Sequence, residues 1–284
     1  MTAALSLPGP VVSSSWLDEQ LDSPGLVVCD VRWYVDGRNG EAAYEAGHIP
    51  GAVWIDLDTE LAGTRGIGPG RHPLPTPEFF AAAMAAKGIG NDSVVVAYDD
   101  ASGSIAARLW WMLQAVGVSA AVLDGGISSW TGELSGDCPS TPAPANVTFT
   151  PRPWPLAQVA DIVAVDAVRR ASTHAVLDAR SAARFAGQPN PVDQRPGHIP
   201  GAVSAPWSSN VNPDTGFFLD SNALHQRFTD LGVLGKTVVS HCGSGVTACH
   251  NLLALALAGL GQGVLYPGSW SDWEADPQRP VASE

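Results

Sequence analysis

The apolar residues of this chain gather into short runs without polar alternation. The clearest are Val27-Val28-Cys29-Asp30-Val31, Val94-Val95-Val96-Ala97-Tyr98, Ala175-Val176-Leu177-Asp178-Ala179 and Thr237-Val238-Val239-Ser240-His241. Runs of this kind predict strands buried on both faces, as in a parallel sheet covered by helices. Helical patterns fall between them. Residues 76–87 start with Thr76 as N-cap and Pro77 at the first helical position, residues 221–231 have Ser221 as the cap, and residues 248–260 are rich in Ala and Leu. Strand alternating with helix predicts an α/β fold.

The pattern occurs twice. Gly47-His48-Ile49-Pro50-Gly51-Ala52-Val53 returns letter for letter at Gly197-His198-Ile199-Pro200-Gly201-Ala202-Val203, an offset of 150 residues. Each copy follows an apolar run ending in Asp-x-Arg (Asp30 and Arg32; Asp178 and Arg180), and each half closes on a Gly- and Trp-containing segment, Gly125 to Trp130 and Gly268 to Trp273. A period this long, with the order of features preserved, predicts two copies of one domain. Residues 136–155 hold six prolines, a composition that favours an extended, semi-rigid connector. The expected organisation is therefore a first domain over 1–135, a linker over 136–156 and a second domain over 157–284.

Composition narrows the function classes. At 284 residues with 45% hydrophobic content the chain can build two ordinary cores. A formal net charge of −13 with no Lys/Arg block argues against nucleic acid or a membrane surface as partner. The N-terminal residues lack a basic segment followed by an apolar one, and the longest apolar stretch, residues 252–260, is too short to span a bilayer. The expectation is a cytoplasmic protein. The four cysteines, Cys29, Cys138, Cys242 and Cys249, are too few for a disulfide framework and would remain thiols in a reducing compartment.

One of them sits where chemistry is expected. Cys242 follows the strand 237–241 and opens the loop Cys242-Gly243-Ser244-Gly245-Val246-Thr247, ahead of the helical stretch. Two glycines let successive amides turn inward on the sulfur at a helix N-terminus, an arrangement that favours thiolate and persulfide over thiol. Cysteine phosphatases use a related loop, Cys-x5-Arg, but the sixth position after Cys242 is Ala248. That absence argues for transfer of a single sulfur atom. A zinc site built from His241-Cys242 and Cys249-His250 lacks any Cys-x2-Cys spacing. Cys29, Cys138 and Cys249 read as packing or inert thiols.

The loop, the twin Gly-His-Ile-Pro-Gly-Ala motifs and the terminal Gly-Ser-Trp-Ser-Asp-Trp together resemble the tandem rhodanese family. The resemblance implies two rhodanese-like domains, each a mainly parallel sheet flanked by helices. It implies a sulfurtransferase that needs no cofactor and no metal, in which a persulfide on Cys242 passes to a thiol or cyanide, a thioredoxin-like protein being one possible acceptor. The first domain is expected to be inactive, because Asp99 stands where the second has Cys242. Since His48 and His198, and the pairs Asp30/Arg32 and Asp178/Arg180, occur in both halves, they read as structural.

Within the family, thiosulfate sulfurtransferases tend toward Cys-Arg-Lys-Gly-Val-Thr and 3-mercaptopyruvate sulfurtransferases toward Cys-Gly-Ser-Gly-Val-Thr; this chain has the second form. Thiosulfate is a dianion that gains from cationic side chains, and Gly243-Ser244 provides none. The resemblance further implies a relay of Ser244, His72 and Asp58, substrate contacts from Gly243, Gly245, Val246 and Thr247, and Arg184 on the substrate carboxylate. A second substrate arginine is usual, but its aligned position is Val192, leaving Arg195 as the nearest candidate. Trp270 and Trp273 are expected to pack near the site, Trp270 at its mouth. Two alternatives stand beside this reading: thiosulfate as the main donor, and a sulfur-carrier or regulatory module without turnover.

Overall fold

The computed structural model describes residues 5–136 and 147–283. The chain forms two compact units, one of Met1–Leu61 with Pro75–Trp154 and the other of Ala62–Leu74 with Pro155–Glu284. Residues 62–74, which sequence position assigns to the first half, thus belong to the second unit. Cys138 and residues 137–146 of the proline-rich segment lie outside the described residues.

The first unit runs β1 (Val11–Val12), α1 (Ser14–Gln20), β2 (Leu26–Asp30), α2 (Gly40–Ala46), β3 (Val53–Trp54), α3 (Pro77–Ala86), β4 (Val94–Tyr98), α4 (Ala106–Ala115) and β5 (Ser119–Leu123). Its strands form one parallel sheet in the order β1-β5-β4-β2-β3. The central β4 is buried along its whole length, as expected of a strand with helices on both faces. The α3 start matches its sequence signals: Pro77 is the first residue and the Thr76 hydroxyl accepts from the Phe79 amide at 3.2 Å. The described end of the proline-rich segment packs on this unit, with Trp154 against Phe80 and its indole N–H donating to the Pro75 carbonyl.

The second unit contains α5 (Ile162–Val168), β6 (His174–Asp178), α6 (Ala182–Phe185), β7 (Val203–Ser204), α7 (Ser221–Asp230), β8 (Thr237–His241), α8 (Ala248–Leu257), β9 (Val264–Leu265) and α9 (Ser269–Trp273). Its parallel sheet has the order β7-β6-β8-β9. The cap of α7 differs from expectation by one residue. Asp220, not Ser221, is the N-cap, its carboxylate accepting from the Ala223 amide at 2.9 Å; Asp and Ser cap equally well, so the pair cannot be ordered by residue type. Helix α8 stops at Leu257, three residues short of the apolar run.

The repeated motifs do the same structural work in both units. Arg32 donates to both oxygens of Asp30 and to the Gly47 carbonyl, and Arg180 does the same with Asp178 and Gly197. His48 stacks on Tyr44 and donates to the Tyr44 carbonyl, while His198 stacks on Phe185 and donates to the Phe185 carbonyl. These residues pin the Gly-His-Ile-Pro-Gly turn to the sheet, as their duplication predicts. Among the described residues, no helix is long and apolar enough to cross a membrane.

Candidate active site

In both units the loop after the strand paired to the Asp-x-Arg strand leaves the carboxyl end of the sheet, where open α/β sheets place their ligands. In the second unit this loop begins at Cys242, which is 2% exposed. The amides of Ser244 and Gly245 donate to its Sγ at 3.4 and 3.1 Å. The Cys242 amide donates to Ser269 Oγ at 3.1 Å and its carbonyl accepts from the Trp270 amide at 2.9 Å, fixing the cysteine backbone from α9.

Gly245 makes this curvature possible. Its φ is +79°, and a Cβ there would stand 2.5 Å from the Pro267 carbonyl oxygen, so only glycine fits. Val246 and Thr247 form the turn into α8, their carbonyls accepting from Cys249 and His250. Cys249 is buried on that helix with its thiol toward the Gly245 carbonyl, and Cys29 is buried in the first sheet, where desolvation pushes its thiol well up.

The first unit shows what occupies such a cradle when the cysteine is missing. Asp99 follows β4, and its Oδ1 accepts from the Ala101 and Gly103 amides while Oδ2 accepts from Ile105 and Ala106, all between 2.8 and 2.9 Å. Burial pushes this carboxyl up against the pull of the four amides. The buried Asp99 carboxyl fills the place that Cys242 Sγ takes in the second unit.

Residues 62–74 bring two further groups to the cysteine loop. His72 Nδ1 lies 2.7 Å from Ser244 Oγ, and both residues are buried. Arg71 donates from Nη2 to the Gly243 carbonyl and from Nη1 to the Val192 carbonyl, each at 3.3 Å, and its backbone amide donates to Ser271 Oγ at 3.0 Å. Arg184, at the end of α6, approaches the same place. A Cβ on Gly243 would meet Arg71 Nη2 and Arg184 Nη2, both at 2.9 Å. Two guanidinium groups therefore converge at the glycine next to the cysteine. Desolvation lowers the Arg71 pKa in spite of Asp193 and Glu274, whereas for Arg184 the hydrogen bonds and charge of Asp193 outweigh burial and raise it.

Several expectations change here. The absence of cations from Gly243-Ser244 does not leave the loop uncharged, because Arg71 and Arg184 supply them from elsewhere in the unit. Arg195 is not brought to the cysteine; its Nη1 and Nη2 donate to the Asp276 and Arg279 carbonyls at 2.9 Å. It ties down the C-terminal segment. Trp270 is 0% exposed and its indole donates to the Arg195 carbonyl, so it is core and does not line the mouth. Trp273 is core as well. Asp58 is exposed in the first unit, with the Trp33 indole donating to its Oδ2 at 2.7 Å, and its membership of the relay with His72 and Ser244 stands as an expectation. Sequence reasoning missed Arg71, whose one signal was its place beside His72.

The rhodanese-like domain profile matches residues 13–133 and 164–276. The chain belongs to the rhodanese family. Among curated rhodanese relatives, a probable 3-mercaptopyruvate sulfurtransferase of Pseudomonas aeruginosa is 41% identical over 283 residues, covering 96% of this chain and 98% of its own. A putative thiosulfate sulfurtransferase, SseB, of Mycobacterium tuberculosis is 41% identical over 265 residues, covering 89% of each. Among solved rhodanese structures, the 3-mercaptopyruvate sulfurtransferase from Leishmania major superposes with a TM-score of 0.85 at 28% identity, covering 98% of this chain and 78% of that one.

Proposed function

We propose that this rhodanese is a 3-mercaptopyruvate sulfurtransferase acting through a Cys242 persulfide. The observation that carries the reading is the convergence at Gly243, the residue after Cys242, of the guanidinium groups of Arg71 and Arg184, each with Nη2 2.9 Å from where a Cβ would stand. Two planar cations beside a cysteine suit a donor with a carboxylate a few bonds from its sulfur.

The transfer takes two steps. The Cys242 thiolate attacks the donor sulfur, the donor C–S bond breaks, and its electron pair leaves on the carbon as the pyruvate enolate, which takes a proton to become pyruvate. The amides of Ser244 and Gly245 hold the sulfur anion, and Ser244 with His72 is placed to move a proton between donor and solvent. In the second step an acceptor thiolate or cyanide attacks the outer sulfur and releases Cys242 as thiolate, giving an acceptor persulfide or thiocyanate. A thioredoxin-like protein is a suitable acceptor. None of the three described cysteines is in a disulfide, in keeping with work in the reducing cytoplasm.

Thiosulfate as the main donor is the second reading, and the same pair of arginines favours it, since a dianion also gains from two cations. Steady-state kinetics with each donor, alongside mass spectrometry after mercaptopyruvate treatment, tests both. The expected results are a gain of one sulfur atom on Cys242, none in Cys242→Ser, and the higher kcat/KM for mercaptopyruvate. An unmodified Cys242 during turnover refutes the persulfide mechanism, and a higher kcat/KM for thiosulfate refutes the donor.

A further inference from the structure

The arginine facing Gly243 is held from behind. Arg184 Nε donates to Asp193 Oδ2 at 2.8 Å and Nη2 donates to Oδ1, so one edge of its guanidinium is fully engaged. The Asp193 side chain is 1% exposed while that of Arg184 is 25% exposed; the carboxylate lies inside, and Nη2 and Nη1 of the guanidinium stand 2.9 and 3.6 Å from where a Cβ on Gly243 would be.

Asp193 is itself fixed by its surroundings. Asn190 Oδ1 accepts from the Val192 and Asp193 amides at 3.0 and 2.9 Å, its Nδ2 donates to Asp193 Oδ2 at 3.0 Å, and Arg180 Nη1 donates to the same oxygen at 3.2 Å. Burial alone would raise the Asp193 carboxyl, but Arg184 and then Arg180 hold it below the usual range. The second arginine is matched in the same way, with Arg71 Nη1 3.6 Å from Glu274, whose side chain is 2% exposed. Each cation beside Gly243 thus has a buried carboxylate behind it, and their charges cancel.

Charge and direction separate the two candidate donors. A dianion gains most from net positive charge, which falls off slowly with distance, whereas a monoanionic carboxylate gains most from two N–H groups aimed at its oxygens. We infer that Asp193 is a positioning residue that determines donor specificity: it aims Arg184 at the donor and cancels its charge, so that monoanionic 2-oxo-3-thiol acids are preferred to dianionic sulfur donors. This rests on the reading that Arg184 faces the donor carboxylate.

The test is the ratio of kcat/KM for mercaptopyruvate to that for thiosulfate in Asp193→Asn. The ratio should fall by about tenfold or more, the scale of one uncompensated charge at a partly buried site. The mercaptopyruvate loss should appear mainly in KM, thiosulfate kcat/KM should hold or rise, and Asp193→Glu should restore most of the parent ratio. Equal loss with both donors marks a purely structural residue and overturns the inference. If Asp193→Asn does not fold, Asn190→Ala loosens the same carboxylate, and the ratio should shift less but in the same direction; an unshifted ratio there overturns it equally. Arg184→Gln separates the two layers. If Arg184→Gln leaves mercaptopyruvate turnover intact, the Arg184 assignment falls and the inference with it. If it impairs that turnover while Asp193→Asn leaves the ratio unchanged, only the inference falls.

Discussion

Gly245→Ala puts the cradle under a quantitative test. At φ +79° an alanine occupies the left-handed region at about 1–2 kcal/mol. Its Cβ would also stand 2.5 Å from the Pro267 carbonyl oxygen and 2.9 Å from the Pro267 Cα, so backbone must move by roughly 1 Å in a close-packed interior, adding about 1–3 kcal/mol. The expected destabilisation is therefore roughly 2–5 kcal/mol, read from urea melts. The Gly245 amide, 3.1 Å from Sγ, moves with the backbone. Losing a hydrogen bond to a charged sulfur, worth about 1.5–3 kcal/mol, should slow persulfide formation by about 10–100-fold in a single-turnover assay. The structure provides a control in Gly261, whose φ is +87° and whose Cβ would meet nothing within 4 Å. Gly261→Ala should show the backbone effect alone and unchanged turnover. Equal melting shifts for the two variants, with full turnover in Gly245→Ala, would refute the role given to this amide.

Other outcomes follow from the same geometry. Arg71→Gln should raise KM for mercaptopyruvate by about tenfold or more with a smaller change in kcat, since one of two charge-assisted contacts is lost; an unchanged KM would remove Arg71 from the donor site. Asp220→Ala should destabilise α7 by ~1 kcal/mol in denaturant melts and Ser221→Ala by much less, and the reverse order would contradict the cap. Acid should weaken the second unit. His241 is held below its usual range by burial in spite of Asp178, and Asp178 and Asp193 are held low by their arginine and histidine partners in spite of burial. The unfolded chain therefore takes up these protons first, so stability present at neutral pH declines as pH falls past the ordinary histidine value and then the ordinary carboxylate values, and is lost through the folded values. Thermal melts from pH 7 to 3 should show Tm falling across that window, and a flat Tm would refute the assignment.

Much of this was legible in the sequence because it is local or repeated. The strand 237–241, the loop from Cys242 and the α3 start are set by neighbouring residues, and duplication separated Asp178 and Arg180 from the chemistry. What was not legible depends on distant chain. Arg71 meets Gly243, 172 positions away, only because residues 62–74 join the second unit, and no local pattern records that. Arg184 on α6 and Arg195 in the loop that follows it are similar cations eleven positions apart. Which of them reaches Gly243 is decided by the carbonyls of Asp276 and Arg279, which claim Arg195, and by Asp193, which holds Arg184. Trp270 resembles a site residue because its motif ends the chain's second copy, yet what that motif supplies to the cysteine is the backbone amide of Trp270 and the side-chain hydroxyl of Ser269.

Asp99 makes the first loop a standing reference for the second. Its carboxyl group accepts from four amides, so hydrogen exchange in residues 101–106 should be slow whether or not the protein has met a sulfur donor. On the proposed mechanism the amides of 244 and 245 face a sulfur whose charge and size change with each half-reaction, so their exchange should slow when Cys242 is loaded and quicken when it is discharged. The chain thus carries its own internal standard, and the contrast between its two copies in a single exchange experiment would report the fraction of molecules carrying sulfur.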